Sequence, residues 1–296
     1  MIRPLLQDDA LLADIADIRA LGCGLHLWWL GQSGYLVLWN GRFLLLDPYL
    51  SDSLTRKYAG TDKEHVRIST RVIAPERLDF VDVVTSSHNH TDHLDPETLR
   101  PLAAANPGLV MVCPEANRVT VRERCGLPED RIHGLDAGVQ ESAGGPARVG
   151  LVPGEVTVAG FRIIAVPAAH ESLDRDTAGR HIYLGFLIQA GPFTVYHSGD
   201  TVLYPGMADR LRHWAPTVAL LPINGRSPER RVAGNLNGRE AAQLAKAIGA
   251  GCVIPGHYDL FAFNTASPRE FQETCRLLGQ PASVPKLGER WSASGD

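Results

Sequence analysis

The sequence predicts an α/β fold of the αββα type, in which two mixed β-sheets pack face to face with helices on the outer faces. Three observations lead there. Short apolar runs punctuated by glycine open the chain as hairpins, strands and helices then alternate, and the same succession returns from residue 156 onward. Neither a sequence repeat, a low-complexity stretch nor a linker separates the two cycles, so residues 1–296 are expected to form a single domain.

Residues 5–21 place Leu5, Leu11, Leu12, Ile15, Ile18 and Leu21 at spacings near three and four, the pattern of an amphipathic opening helix. The runs at 26–30, 35–39 and 43–47 read as strands, with Gly31, Gly34 and Asn40-Gly41 as hairpin punctuation. Residues 51–79 are polar and irregular and are expected to form an exposed loop near a site mouth. A strand at 80–84 then leads into a histidine-rich stretch. Helical patterns at 94–105 and 116–125 flank a strand at 109–113. The second cycle brings strands at 156–158, 161–166, 182–189 and 193–197, then helices at 206–213, 238–248 and 268–278 separated by strands at 218–221 and 252–254.

At 296 residues and 44% hydrophobic content the chain can bury a sizeable core. Twenty-nine Lys and Arg against 33 Asp and Glu leave a formal charge of -4, so no global field favours nucleic acid or an anionic membrane. The five cysteines show no CxxC spacing and cannot all pair within one chain, which predicts reduced thiols. The first residues lack the basic start and uninterrupted apolar run of a secretory signal, and no segment approaches the roughly 20 apolar residues that span a bilayer. A cytoplasmic protein without a membrane span is expected, and a homo-oligomer is compatible with these figures.

The segment Ser87-His88-Asn89-His90-Thr91-Asp92-His93-Leu94-Asp95 holds three imidazoles and two carboxylates. Imidazole nitrogen and carboxylate oxygen suit Zn, Mn or Fe, and a loop at a strand end can aim alternating side chains at neighbouring ions. A solvated polar loop is the bland alternative. Four ligands so close together cannot complete two metal shells, so further donors are expected at other strand ends. His170 in AVPAAH, Asp200 in VYHSGDT and His257 in VIPGHYD each follow a β-rich run and a turn residue.

HNHTDH resembles the HxHxDH signature of the metallo-β-lactamase superfamily, and the three later segments resemble its remaining metal motifs in order. The resemblance runs from about residue 27 to residue 271. It implies the metallo-β-lactamase fold, with His88, His90 and His170 around one divalent ion, Asp92, His93 and His257 around a second, and Asp200 bridging both. Within the superfamily, LWWLGQSG, HNHTDHLD, VYHSGDT, VALL and VIPGHYDLFAFN are similar to the L-ascorbate-6-phosphate lactonase branch. LPINGRSP and the histidine pattern are similar to the N-acylphosphatidylethanolamine phospholipase D group. Those groups often carry Arg directly after Pro in the last segment, whereas here Pro228 is followed by Glu229 and then Arg230-Arg231.

Two ions can share a water and lower its pKa enough to hold hydroxide near neutral pH. The implied activity is therefore metal-dependent hydrolysis of an ester or lactone of a small anionic substrate, with phosphodiester hydrolysis and metal binding without turnover as alternatives. An oxygen-reducing diiron protein would need a flavin module for which the chain has no room. Zn is favoured because all seven donors are N or O, with Mn and Fe left open by availability. Asp92 is the candidate to guide proton transfer.

Arg226, Arg230 and Arg231, in a loop from residue 224 to 234 expected to wall the pocket, are candidates to grip the substrate anion, against a solvated cluster. Tyr258 could donate to a developing oxyanion or simply pack. Asp47, at a strand end, is a candidate support for the ligands or a turn cap, and His197 either orients Asp200 or serves as a core histidine. Asp95 is read as the cap of the helix opening at Pro96 as readily as a support for the ligand loop. Trp28 and Trp29 read as core.

Overall fold

In the computed structural model, which describes residues 1–138, 152 and 154–295, the chain opens with helix α1 (Asp8–Leu21). Leu11 and Ile15, four residues apart, turn one face of α1 into the core. Strands β1 (Leu25–Gly31), β2 (Gly34–Trp39) and β3 (Arg42–Leu46) follow as antiparallel hairpins. Asn40 and Gly41 join the last two with φ of 48° and 72°, the paired positive values that a tight hairpin turn demands.

After the short helix α2 (Ser53–Lys57) comes a run of parallel strands, β4 (Val83–Thr85), β5 (Val110–Pro114) and β6 (Ile132–Leu135), connected through α3 (Pro96–Ala105) and α4 (Arg118–Cys125). The second half repeats the plan. Antiparallel β7 (Glu155–Val158), β8 (Phe161–Pro167), β9 (Leu184–Ala190) and β10 (Phe193–His197) precede α5 (Met207–Arg212), β11 (Val218–Pro222), α6 (Gly238–Ala247), β12 (Cys252–Gly256) and α7 (Arg269–Leu278). A last strand, β13 (Arg290–Ala293), returns to pair with β1.

The strands form a seven-stranded sheet in the order β13-β1-β2-β3-β4-β5-β6 and a six-stranded sheet in the order β12-β11-β10-β9-β8-β7. Both are mixed: β3 to β6 run parallel in the first sheet, and β10 to β12 do so in the second. Strands covered on both sides read as continuous apolar runs, and β11 is buried along its whole length. The two sheets meet through Tyr35, whose hydroxyl donates to the Pro255 carbonyl at 2.8 Å, and through Trp39 set edge-on to Phe161. Helix α6 packs on α7 and against β11 and β12, while α4 packs on α3 and against β5 and β6, which puts helices on both outer faces. Fully burying one Leu or Phe between such layers contributes about 1.5–3 kcal/mol, and the core draws on every strand layer.

Several expectations shift at their edges. The strand expected at 80–84 begins only at Val83, because the Asp82 carboxylate turns aside to accept from the Phe43 amide at 2.8 Å and from Arg42. The loop expected at 51–79 carries α2 and a single 3-10 turn at Pro75–Arg77, and Arg67 pins it by donating to the Asp52 carboxylate and the Ser51 carbonyl. Strands β6 and β13 have no counterpart in the sequence reading. Trp28 and Trp29 are core residues. All five cysteines are unpaired, and among the described residues no helix is long and apolar enough to cross a membrane.

Candidate metal centre

Strand β4 ends at Thr85, and the chain folds into a tight loop whose His93 and Leu94 amides both donate to the His90 carbonyl. Asp95 closes the loop as the N-cap of α3, accepting from the Glu97 amide and, at 2.7 Å, from the Thr98 hydroxyl. Both of its oxygens are thus spent on capping. His170 follows β8, Asp200 follows β10 and His257 follows β12, so the second sheet sends its donors to the loop that the first sheet presents.

All seven candidate ligands converge. His88, His90 and His170 bring ligating atoms within 4.8 Å of one another, and so do Asp92, His93 and His257. Asp200 lies between the two trios, 3.7 Å from His170 Nε2 on one side and 3.4 and 3.3 Å from the Nε2 atoms of His93 and His257 on the other.

Outer partners hold several of the rings in place. His93 Nδ1 lies 2.7 Å from Asp47 Oδ2, and His170 Nδ1 donates to the Gly234 carbonyl at 2.9 Å. Each bond fixes the ring tautomer and leaves Nε2 facing inward, which is how ligating histidines are normally supported. Asp47 also accepts from the Ser87 amide and from the Thr85 and Ser87 hydroxyls, so it serves the ligand loop rather than capping a turn. Backbone strain gathers here too: Asp47 and His257 have φ of 37° and 59°. Such conformations persist where the surroundings over-determine them.

The fit of a cation can be tested on atoms left without partners. His88 Nε2, His93 Nε2 and Asp200 Oδ1 are buried and hydrogen-bonded to nothing. A buried orphan donor or acceptor costs about 1–3 kcal/mol, and three of them aimed into one volume are the signature of an ion site. The donor set fits a divalent cation.

Electrostatics agree. Burial opposes ionisation of Asp92 and Asp200, yet the imidazoles of His93 and His257 hold both carboxyls well below the usual range. Burial likewise disfavours charge on His93 and His257, but Asp200 and Asp92 overcome it, raising His93 well above its ordinary value and His257 to about 9. His88 is driven well below by burial and by the neighbouring imidazoles.

The metal-free protein should therefore carry protons on His93 and His257 at pH 7 that a metal must displace. Because the folded pKa is raised, the His257–Asp200 pairing stabilises the metal-free form below about 6.5 and is lost as pH rises through about 9. Metal affinity is expected to climb over the same window. Calorimetric titration of stripped protein in buffers of different ionisation enthalpy should show net proton release at pH 7; buffer-independent heats would contradict it.

The centre opens onto a cavity of about 470 Å³. Val232 and Ala233 line it, so the loop after β11 does form a wall, but its three arginines face elsewhere. Arg226 pairs with Glu240 at 2.6 Å, Arg230 donates to the Asn224 carbonyl and Asn264, and Arg231 pairs with Asp62. The expected anion grip is not met in this cavity: none of the three lines it, and Arg226 and Arg231 border an adjoining recess instead.

Tyr258 is likewise turned away, stacked on Trp29 at 4.6 Å and 3% exposed. His197 Nε2 donates to the Ser33 carbonyl at 3.1 Å and makes no bond to Asp200, which places it in the core. The cationic residues that do line the cavity are Lys57, Lys63 and Arg124, with His65 beside them.

The sequence reading missed His65 because it lies in the stretch taken as irregular. It also missed Gln32, whose amide reaches Asp92 at 2.9 Å. Only its place between Gly31 and the next strand marked Gln32, and that reads as a plain turn.

Comparison with known proteins places this geometry in context. The family model described as the Beta-lactamase superfamily domain matches residues 42–258. The UPF0173 metal-dependent hydrolase of Aeropyrum pernix is 27% identical over 272 residues, covering 90% of this chain and 96% of that relative. Among solved structures, Igni18, a novel metallo hydrolase from Ignicoccus hospitalis, aligns with a TM-score of 0.61 at 24% identity over 92% of this chain and 99% of its own. CmlA, a diiron β-hydroxylase from Streptomyces venezuelae, aligns with a TM-score of 0.65 at 15% identity over 92% of this chain and 54% of its own. The fold is the metallo-β-lactamase fold. The two solved structures bear names of different reactions, so the likeness to them speaks for the fold and leaves the chemistry to the site.

Proposed function

Because this chain belongs to the β-lactamase superfamily, we propose that it is a metal-dependent hydrolase acting on an ester or lactone of a small anionic substrate. One observation carries the reading: seven His and Asp side chains from both sheets meet around three buried, partnerless ligand atoms at the floor of an open cavity. The name of the Aeropyrum pernix relative supports the same class.

His88, His90 and His170 would hold one ion, Asp92, His93 and His257 a second, and Asp200 would serve both. Divalent ions there supply Lewis acidity and bring the pKa of a water towards neutrality. Zn is the preferred ion for an all-N,O donor set.

The chain's own groups do the rest. Asp92 lines the cavity and is kept ionised by His93 and His257, so its carboxylate is placed to take the proton of the attacking water. His65 presents a neutral ring to the same space: Nδ1 donates to the Lys63 carbonyl at 2.7 Å, Phe261 and Phe263 stand against the ring, and burial lowers its pKa. Its Nε2 is left to accept a hydrogen bond from substrate. Lys57, an exposed residue on the rim, is the cation available to a carboxylate or phosphate, since Lys63 is committed to the Arg231 carbonyl and Arg124 to the Asn89 and Leu94 carbonyls. The cavity volume is in the range of small-molecule sites.

Metal analysis followed by a screen of lactones beside bis-(p-nitrophenyl) phosphate tests the proposal. Lactone turnover abolished by chelation supports it, preference for the diester would make the protein a phosphodiesterase, and bound metal with no turnover on either would leave a binding protein. Lys57→Ala is expected to raise KM about tenfold for a carboxylated lactone, the loss of roughly 1.4 kcal/mol, and to leave a neutral lactone unchanged. Equal KM changes on both would remove Lys57 from substrate recognition.

A further inference from the structure

Gln32 sits in the turn between β1 and β2, 4% exposed, with φ of 52°. A non-glycine residue in that region costs of order 1–3 kcal/mol and stays there only when its contacts require it. Here the contacts are specific. Gln32 Nε2 donates to Asp92 Oδ2 at 2.9 Å, closer than the His257 and His93 Nε2 atoms, which stand 3.4 and 3.6 Å from the same oxygen. The same nitrogen lies 3.2 Å from His257 Nδ1 and 3.1 Å from its Nε2. Near-equal distances to both ring nitrogens place the amide over the ring face, because an in-plane approach would collide with Cε1. The Gln32 carbonyl accepts the His257 amide at 2.9 Å and the Trp29 indole N–H at 3.1 Å.

We infer that Gln32 is the positioning residue of the Asp92/His257 half of the metal centre, holding the carboxylate by its amide and the imidazole by both ring packing and main chain. The inference rests on the metal-centre reading above. The other half is supported without it: His170 is held by the Gly234 carbonyl and His88 Nδ1 lies 3.0 Å from the Ser87 hydroxyl. His93 has Asp47. Removing the Gln32 amide should therefore loosen the ion at Asp92, His93 and His257 and spare the ion at His88, His90 and His170.

The experiment titrates stripped full-length protein with Co(II), following visible absorption and competition with a chelator of known affinity. The parent is expected to take up two ions in distinguishable steps. Gln32→Met keeps length and volume but has no N–H; it should bind one ion as the parent does and the other about 10- to 100-fold more weakly, with an altered spectrum for that step alone. Two steps identical to the parent's, or two steps weakened alike, would overturn the inference. Should the Met variant melt early, Gln32→Asn, which tolerates a positive φ but is one methylene too short, is expected to show the same one-sided loss. A parent that takes up fewer than two ions would instead defeat the metal-centre reading, and this inference with it.

Discussion

Asp200→Ala is expected to lower turnover by about a thousandfold or more and to strip the protein of at least one metal ion while leaving it folded. Asp200 is 3% exposed and faces His93, His257 and His170 within 3.7 Å, so no other carboxylate can take its place. Lewis-acid catalysis is worth several kcal/mol, and each 1.4 kcal/mol is a factor of ten in rate, which sets the scale of the loss. The fold should survive because His93 and His257, deprived of their counter-charge, can revert to neutral imidazoles. His90→Ala makes the companion case. His90 is exposed and its ring makes no hydrogen bond among the described residues, while the carbonyl that ties the loop survives substitution, so its removal should cost activity and metal with little change in melting temperature. Metal content, kcat and a thermal melt on the same preparations decide the matter. Undiminished turnover in either variant after metal loss would end the metal-dependent reading.

Gly199→Ala should destabilise the protein by about 2–5 kcal/mol and misplace Asp200 as well. Gly199 has φ of 59°, and a Cβ there would stand 2.6 Å from Ser87 Cβ and 2.7 Å from the Leu184 carbonyl oxygen. The left-handed conformation costs roughly 1–2 kcal/mol for an L-residue and overpacking a further 1–3. Neither neighbour can yield freely: the Leu184 carbonyl belongs to β9, and the Ser87 hydroxyl is bonded to Asp47, which in turn supports His93. A melting point lowered by roughly 3–8 °C is expected from that energy in a chain of this size, together with reduced metal uptake. An unchanged melt would mean that the Asp200 turn and the ligand loop do not approach as closely as described.

The candidate ligands are readable in sequence because they share a local rule: a histidine or carboxylate just beyond an apolar strand. His88 to His93 announce themselves by density, and His170, Asp200 and His257 by their repeated context. What could not be read depends on partners distant in the chain. Arg226, Arg230 and Arg231 look like an anion site until Glu240, Asn264 and Asp62 are seen to satisfy them. Nothing in a linear reading of Tyr258 reveals that Trp29 covers its ring. Strand β6 contains a histidine and a glycine in four residues, and β13 owes its existence to pairing with β1, some 260 residues earlier, which no periodicity encodes. Gln32 carries only a turn signal, although its conformation and contacts are dictated by Asp92 and His257.

The division of the ligands between the two sheets bears on how metal would be acquired and kept. The first sheet supplies the loop after β4, and the second supplies residues beyond β8, β10 and β12, so neither sheet alone can present the full set. Assembly must then precede loading, and an ion, once in place, rivets the two halves across their shared interior. Ligand binding to the native state alone adds about 2.7 kcal/mol at a hundredfold excess over Kd, and here that increment would resist separation of the sheets as a unit. An ion that loads through the open cavity also leaves through it, so its escape would not need the sheets to part. Loss of metal on dilution into chelator should accordingly run ahead of the opening of the sandwich seen by amide exchange in β4 and β12, while the loaded protein exchanges those amides more slowly than the stripped one.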